Sequence, residues 1–322
     1  MLPLLRTKRY FPPKKLIQTT HFFFSTNNHH GPKTNHPSPP PIQVLLTESA
    51  GRGVFATRKI EPGELIHTAK PILSHPSLAS LDKVCYFCLK SVVKGSGFEG
   101  REALFCSEKC REEAKGFYEV EKKADWSAFV AHCRIRGLKY PLLAKRLACM
   151  VISGATSAGS LDILQPERLS AEMISQMEDE FGLLRGALED SGMTDEQLTF
   201  LNIEWYAGVL ARIRINAFRI ELAGGSYEDL LASAIASVES EAAVGNAVYM
   251  LPSFYNHDCD PNTHIIWLQN VEARLKALRE IEAGEELRIC YIDASMDRDA
   301  RRNLLSNGFG FECHCPRCMS ND

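Results

Sequence analysis

The stretch 308–318 reads GFGFECHCPRC and ends in three closely spaced cysteines, Cys313, Cys315 and Cys318. Thiols in a C-x-C-x2-C pattern are too close to pair well as disulfides, but they can turn together toward one Zn²⁺. Tetrahedral zinc needs a fourth ligand. The adjacent His314 would have to double back toward the metal, so Cys259 is the better candidate if the fold brings it to this segment. The alternative interpretation is a reduced cysteine cluster at a frayed chain terminus.

Two close pairs in the motifs CYFC and CSEKC form a second cysteine group, Cys85, Cys88, Cys106 and Cys110. Their spacing suits a four-thiolate site that stabilises a loop-rich segment with little core of its own. Four thiolates leave zinc no open position for water, so both sites are predicted to be structural. A metallohydrolase is disfavoured because the sequence shows no open zinc site with His or carboxylate ligands.

The composition predicts a soluble globular protein, with 322 residues that are 45% hydrophobic and 24% charged. No run approaches the roughly 18 uninterrupted apolar residues of a membrane span, so no membrane insertion is expected. Residues 1–47 contain six of the 37 basic residues and none of the 40 acidic ones, which leaves the rest of the chain at a net charge of −9. An acidic body disfavours direct nucleic-acid binding and suits a basic peptide or protein substrate.

The basic opening MLPLLRTKRYFPPKK has the composition of an organelle transit peptide, with Arg, Lys and hydroxyl residues but no acids. We expect import into mitochondria, with plastids as a second destination. A Pro-rich linker, GPKTNHPSPPP, follows at residues 31–41 and ends just before folded structure begins. The alternative interpretation of residues 1–41 is a disordered tail without an addressing role.

Five motifs follow one another along the chain: GRGVFA at 51–56, IEPGEL at 60–65, NHDCDPN at 256–262, AGEELRICYID at 283–293 and GFGFECHCPRC at 308–318. Together they resemble the successive motifs of a SET domain with its post-SET zinc segment. The paired cysteines between the first and later motifs resemble a MYND-type zinc finger inserted into the SET domain, as in the SET-and-MYND family and the plant trithorax-related proteins.

One departure from that family concerns the finger. Residues 89–105 contain no cysteine, so the ligands for the second zinc of a full MYND finger are missing. We therefore expect one zinc ion in the finger and one in the post-SET segment. The loss places the peptide-binding role of the finger in doubt.

The resemblance implies an α+β architecture, a β-rich SET fold with a pseudoknot where the NHDC segment passes through a loop near the end of the domain. The SET domain would span 42–293, split by a MYND-like finger at 85–132 and a helical insert at 133–245, and the post-SET zinc segment would occupy 294–322. Apolar residues at three- and four-residue steps predict mostly helix over 111–245. Short apolar runs predict strands at IQVLL, HIIWL and ELRICY.

The resemblance also implies the reaction, methyl transfer from S-adenosylmethionine to a lysine side chain of a protein, of the histone-lysine type. The amine must be neutral although its ordinary pKa is about 10.4. A nearby sulfonium charge and an apolar channel both lower that pKa, so no strong general base is needed. By resemblance Tyr291 is the catalytic residue, with its hydroxyl oriented toward the methyl group and the incoming nitrogen. Its alternative role is a strand-end tyrosine that fills core.

Seven positions match the cofactor-binding residues of the family: Arg52, Gly53, Asn216, Asn256, His257, Tyr291 and Phe311. Gly53 would let the backbone approach the methionine part of the cofactor, and Arg52 would offer a cation to its carboxylate. Asn256 and His257 would bind around the adenine, or would form a buried structural pair. Asn216 would face the cofactor or lie on a helix surface.

Two aromatic residues, Phe309 and Phe311, are predicted to line the lysine channel, since aromatic faces suit a methylated ammonium. The alternative is that they pack under the zinc segment. The competing function for the whole chain is a catalytically silent SET and zinc-finger module that only binds other proteins. The family favours a histone tail in the nucleus as substrate, whereas the basic opening favours an organelle and a non-histone protein.

Overall fold

The computed structural model describes residues 39–92, 98–99, 103–223 and 243–320. The predicted presequence and most of its Pro-rich linker lie outside the described residues. The same holds for the periodic apolar stretch at 228–241 that contributed to the helix prediction. Within the described part of the chain, no helix has the length and apolar character needed to cross a membrane.

The strands are short and spread along the described chain. In order they are β1 (Ile42–Leu46), β2 (Arg52–Ala56), β3 (Leu65–Ala69), β4 (Leu73–Pro76), β5 (Phe98–Glu99), β6 (Leu104–Phe105), β7 (Ala217–Glu221), β8 (Ala243–Val248), β9 (Asn256–His257), β10 (Thr263–Ile266), β11 (Ala273–Ala277) and β12 (Glu286–Ile289). The three strands predicted from short apolar runs are confirmed as β1, β10 and β12.

Most helices lie in the chain between β6 and β7. They are α1 (Glu108–Glu121), α2 (Ser127–Ile135), α3 (Tyr140–Ile152), α4 (Ala171–Asp190), α5 (Asp195–Leu198), α6 (Ile203–Asn216), α7 (Arg298–Phe309) and α8 (Pro316–Met319). Several begin at a side chain that accepts from a free main-chain N–H, as Ser107 does for α1, Ser170 for α4 and Asp297 for α7. Helix α7 ends at Gly310, whose φ of 74° is the left-handed conformation that glycine adopts without strain.

The prediction of mostly helix over 111–245 is confirmed up to Asn216 and wrong for β7 and β8. These two strands pair with each other antiparallel, and β8 also pairs with β4, which gives the sheet order β4-β8-β7. The pairing partner of β8 lies more than 160 residues earlier in the chain at Leu73–Pro76. The local spacing of apolar residues carries no information about a partner strand that far away. The strand conformation of β7 and β8 therefore depends on tertiary pairing.

The sheet that frames the candidate site has the order β1-β2-β12-β9. Strands β1, β2 and β12 pair antiparallel, whereas β9 lies parallel to β12 with Asn256 opposite Arg288 and His257 opposite Ile289. A third sheet has the order β10-β11-β3. The segment after β9 then reaches the C-terminal cysteines through Cys259. This is the arrangement that the expected pseudoknot requires.

Two apolar cores hold these elements together. One packs α1, α2, α3, α4 and α6 against the finger, with Leu143, Leu147, Leu184 and Tyr206 fully buried. The other lies among the sheets and includes Val54, Tyr255, Leu275 and Leu287. Tyr291 belongs to the edge of the second core and also contacts the C-terminal cysteine cluster, so it lies where the two meet.

Candidate active site

Gly53 lies on β2, at a point where a side chain would collide with Glu286 of the neighbouring β12. A Cβ atom at this position would lie 2.6 Å from Glu286 Oε1 and 2.9 Å from Thr47 Cγ2. The same carboxylate oxygen accepts from Asn256 Nδ2 at 2.7 Å, and this amide also donates to the main-chain oxygen of Arg52 at 3.2 Å. Glycine at position 53 therefore lets β2, β9 and β12 meet around one carboxylate.

Tyr291 follows β12 and is held at both its main chain and its hydroxyl. Its main-chain N–H donates to His257 Nδ1 at 3.1 Å, and its hydroxyl donates to the main-chain oxygen of Tyr255 at 2.6 Å. Burial raises the pKa of Tyr291, and the Glu286 carboxylate adds to this effect, so the phenol stays protonated at neutral pH. Because its proton is used in the bond to Tyr255, its lone pairs remain to accept an N–H from a ligand.

His257 links Tyr291 to the C-terminal cysteines. Since Nδ1 accepts from Tyr291, the proton lies on Nε2, which is 3.3 Å from Cys259 Sγ and donates to it. Burial lowers the pKa of His257 to about 4, so the ring is neutral. The predicted cofactor role of Asn256 and His257 stays a prediction. What the structure shows is that both side chains are used in positioning.

The rings of His257, Phe309 and Phe311 surround Tyr291. Their centroids lie 5.3, 5.0 and 6.4 Å from that of Tyr291, and the Phe311 ring stands at 88° to it. The left-handed Gly310 separates the two phenylalanines and turns the chain between them. Both also pack on the C-terminal cysteines, so the predicted channel lining and the alternative of packing under the zinc segment are compatible.

The C-terminal cysteines form one compact group with all four sulfur atoms within 4.8 Å of one another, Cys259, Cys313, Cys315 and Cys318. The Sγ atoms of Cys259 and Cys318 are 3.6 Å apart. Four thiolates at a Zn–S distance of about 2.3 Å around a tetrahedral zinc lie about 3.8 Å from one another, so the group fits this metal. Cys259 is thus the fourth member, as predicted, and His314 is exposed outside the group.

The finger cysteines form the second such group, Cys85, Cys88, Cys106 and Cys110. The Sγ atom of Cys106 lies 3.5 Å from that of Cys88 and 3.5 Å from that of Cys110, which again fits tetrahedral zinc. Among the described residues, these are the two groups of cysteine, histidine or carboxylate side chains that could hold a metal ion. Neither has an open ligand position, so both fit structural zinc as expected.

Arg52 ties β2 to the helical region, and Asn216 fixes the end of α6 within that region. The Arg52 guanidinium stacks on Phe254, with Cζ 4.6 Å from the ring centroid, and its Nη2 donates to the main-chain oxygen of Ile163. Asn216 is the last residue of α6 and only 8% exposed, and its Nδ2 donates to the main-chain oxygens of Gln165 and Arg212 at 2.8 Å each. The alternative of a helix-surface asparagine is therefore wrong, while the cofactor roles of both residues stay predictions.

Comparison with known proteins gives the family. The model of the SET domain matches residues 51–292, which is most of the chain. This chain belongs to the SET-domain family. The match begins at the glycine next to Arg52 and ends just after Tyr291, so it includes Asn256, His257 and Cys259. The aromatic residues Phe309 and Phe311 and the last three cysteines of the SET-domain chain lie beyond it.

Curated relatives of the SET-domain chain include the histone-lysine N-methyltransferase ATXR4 of Arabidopsis thaliana, 62% identical over 285 residues that cover 88% of each chain. A SET and MYND domain-containing protein of Dictyostelium discoideum is 26% identical over 82% of this chain and 79% of its own. The histone-lysine N-methyltransferase SMYD3 of Homo sapiens is 27% identical over 87% of this chain and 62% of its own. Among solved structures, the SET domain of LSMT bound to lysine and AdoHcy aligns at 12% identity and a TM-score of 0.39, over 86% of this chain and 54% of that one.

Several residues that build the site of this SET domain were missed by the sequence analysis. Tyr255 supplies the carbonyl for Tyr291, and Glu286 joins β2, β9 and β12. Arg301 is fully buried beside the thiols of Cys259 and Cys318, where its positive charge can offset theirs. The position of Tyr255 directly before the NHDC motif was the only available signal, because buried charges and main-chain acceptors leave no periodic pattern.

Proposed function

We propose that this SET-domain chain is an S-adenosylmethionine-dependent protein-lysine N-methyltransferase. The single observation that carries the proposal is the Tyr291 hydroxyl, which a short bond to a main-chain oxygen holds in one orientation inside a ring of aromatic side chains. The family match and the histone-lysine methyltransferase that is 62% identical support the same reaction.

S-adenosylmethionine supplies a methyl group on a cationic sulfur. The residues around the site fit such a ligand, since the faces of Tyr291, Phe309 and Phe311 provide an apolar, electron-rich wall that suits a methyl-bearing cation. Gly53 keeps β2 free of a side chain beside Asn256, and the Asn256 amide fixes the main chain of Arg52. These residues would hold the cofactor.

The protein would act on the lysine amine chiefly by positioning it. The hydroxyl of Tyr291 directs its O–H at the Tyr255 carbonyl, so its lone pairs can accept one N–H of the amine and aim the nitrogen lone pair at the methyl group. Desolvation by the aromatic wall lowers the amine pKa, which favours the neutral nucleophile. The released proton then passes to solvent, and no buried base is required.

The competing function is a silent interaction module. That reading predicts loss of side chains at the site, yet Tyr291, the His257 ring and the aromatic wall are all in place. The finger lacks the second set of zinc ligands that the resemblance implies, whereas the SET site retains its aromatic and polar side chains. The enzyme is the better account.

The substrate follows from charge. The chain after residue 47 carries a net charge of −9, which favours a basic protein segment over a nucleic acid. We propose a lysine-bearing protein, either a histone tail or a non-histone protein. Its identity depends on where the enzyme is located.

For location we propose the mitochondrion, with plastids as a second destination and chromatin as the alternative. The basis is the basic, acid-free opening of the sequence. A fusion of residues 1–47 to a fluorescent reporter should accumulate in mitochondria. The matched control replaces Arg6, Lys8 and Arg9 by Gln, which should disperse the reporter. A reporter that fills cytosol and nucleus in both forms would refute the proposal.

The activity test uses the full, zinc-loaded chain with S-adenosylmethionine carrying a labelled methyl group. Binding of S-adenosylmethionine is measured by calorimetry, and transfer to lysines of histones and of organelle proteins by mass spectrometry. Label on lysine, lost in Tyr291→Phe but kept in the remote Tyr140→Phe, would support the enzyme. A folded protein that neither binds S-adenosylmethionine nor transfers label would be the silent module.

A further inference from the structure

A cavity lies against the finger cysteines, on residues that the methyl-transfer site does not use. Its volume is about 360 Å³, which falls in the range of small-molecule sites. The walls come from the connection between β3 and β4, from the finger with α1, from α3 and from the loop between β10 and β11. Their apolar side chains include Ile72, Phe87, Phe117, Met150 and Val271.

One wall of this cavity is a buried guanidinium. Arg146 is 2% exposed; its Nε donates to Glu121 Oε1 at 2.9 Å and its Nη1 to the main-chain oxygen of Ser74 at 2.9 Å. The rings of Tyr86 and Phe117 lie 4.2 and 4.3 Å from Arg146 Cζ. Its Nη2 has no hydrogen-bond partner among the described residues. A buried donor without an acceptor costs free energy, so a ligand that offers an acceptor to this nitrogen would be stabilised.

The charges around Arg146 do not cancel. Glu121 accepts from Arg146 and lies 3.8 Å from Lys145, and all three side chains are no more than 6% exposed. One carboxylate thus faces two cations. His75 adds no further positive charge to this network, because burial and the two neighbouring cations lower its pKa well below the ordinary value and favour the neutral ring. An excess positive charge is therefore buried at this wall.

The rim of the cavity carries charges of both signs. Exposed lysines Lys70, Lys90 and Lys109 line the cavity, together with the carboxylates Glu113 and Glu272. A four-thiolate zinc site in the finger adds two negative charges by formal count. The rim charges then nearly offset one another, so the single excess positive charge beside Arg146 decides the ligand; it matches a monoanion better than a phosphate dianion.

We propose that this cavity binds a small monocarboxylic acid with an apolar body, such as a medium-chain fatty acid. The carboxylate accepts from Arg146 Nη2, and the body packs against Ile72, Phe117, Met150 and Val271. A guanidinium pairs well with a carboxylate, and a carboxylate carried on an apolar chain suits both the donor and the apolar walls. Because the walls come from the finger, from α3 and from a strand connection, the bound acid also joins the finger to the SET core.

The test is calorimetric titration of the full, zinc-loaded chain with octanoate, with 1-octanol as the neutral ligand of equal chain length. We expect one octanoate per chain, bound at least about tenfold more tightly than 1-octanol, because the alcohol oxygen can accept from Arg146 Nη2 but has no negative charge to pair with the guanidinium. Equal binding of the two would overturn the carboxylate assignment. No binding to a folded chain with two zinc ions would overturn the site.

Tryptophan substitutions at two methionines, Met150 and Met173, locate the bound acid. Arg146→Met would remove the donor, but it would also leave Glu121 without its partner and can unfold the chain. Met150→Trp is therefore used to fill the cavity instead. It should abolish octanoate binding. Met173→Trp, which changes a half-buried methionine on α4 outside the cavity, should leave binding intact. Retention of binding in a folded Met150→Trp chain would place the acid elsewhere and reject the proposal.

Discussion

The hydroxyl of Tyr291 donates to the main-chain oxygen of Tyr255 at 2.6 Å. Tyr255 itself is fully buried, and its hydroxyl lies 2.9 Å from Nε2 of His67 on β3. His67 Nδ1 lies 3.2 Å from the main-chain oxygen of Thr68 and donates to it, so Nε2 is the acceptor for Tyr255. Tyr255, whose carbonyl orients Tyr291, is thus anchored through its own side chain to β3, a strand of a different sheet.

Tyr291→Phe should lower kcat for methyl transfer by about 100-fold, the order of loss seen when one positioned hydrogen-bonding group is removed from an active site. The substitution keeps the ring and its contacts with Phe309 and Phe311, so Tm should change little. Rates of label transfer and thermal melting measure the two effects. Tyr140→Phe, at the start of α3, is the control and should keep full activity.

Tyr255→Phe should lower kcat several-fold and leave KM for S-adenosylmethionine unchanged. It keeps the main-chain oxygen that Tyr291 needs but removes the hydroxyl that anchors it to His67. We also expect a loss of about 1 kcal/mol in the free energy of unfolding, the usual value of one such bond. Steady-state kinetics and denaturant unfolding test this. An unchanged kcat would mean that the pairing of β9 with β12 alone fixes the carbonyl.

Gly53→Ala should destabilise the chain by about 1–3 kcal/mol, the range for overpacking, and weaken binding of S-adenosylmethionine. The new methyl group would lie 2.6 Å from Glu286 Oε1, so the carboxylate would have to leave Asn256. The control is Gly182→Ala in α4, where a Cβ meets nothing within 4 Å. That change should stabilise the helix by up to about 1 kcal/mol. Calorimetry measures binding of S-adenosylmethionine, and unfolding curves measure stability. A change in the free energy of unfolding of the same sign in both variants would contradict the steric argument.

Much of the metal chemistry was predictable, because ligand spacing is a local property. Three cysteines within six residues can meet only around one point, and the fourth, Cys259, lies in the motif that resembles the SET pseudoknot. The same locality accounts for the confirmed strand β12, which carries an alternating run just before Tyr291. Motif and period therefore predicted the frame of the site.

What the sequence could not predict depends on partners that lie far along the chain. Strand β8 pairs with β4 across more than 160 residues, and the apolar period nearby had indicated helix. A helical pattern does not decide whether Arg146, on α3, faces solvent or core. Only the fold shows that it is buried against Glu121. Main-chain acceptors such as that of Tyr255 are invisible in a sequence because every residue has one.

Cys318→Ser should lower the zinc content from two ions to one and abolish methyl transfer, since His257 donates to Cys259 of the same cluster and the aromatic wall packs on it. Cys110→Ser should also leave one zinc but retain measurable transfer, because the finger cysteines pack in the core of the helices, whereas Tyr291 packs on the sheet core and the C-terminal cysteines. Metal counts by mass spectrometry and label transfer distinguish the two. Cys290→Ser, outside both clusters, should keep two zinc ions. A Cys318→Ser chain with two ions would contradict the ligand assignment.

His75→Phe should flatten the fall in stability below neutral pH. Burial, with Arg146 and Lys145, lowers the pKa of His75 in the folded chain, whereas the unfolded chain takes up its proton near the ordinary value of about 6.5. Unfolding then binds a proton below that pH, so the free energy of unfolding decreases by up to about 1.4 kcal/mol per pH unit as pH falls, until the folded chain also protonates. Phenylalanine keeps the ring contact with Tyr86 and removes this contribution to the slope.

Urea unfolding between pH 5 and 7 at saturating zinc measures the slope of the free energy of unfolding against pH. Tyr140→Phe, which changes no group that titrates in this range, should retain the full slope; an equal slope in His75→Phe would assign the effect to other groups.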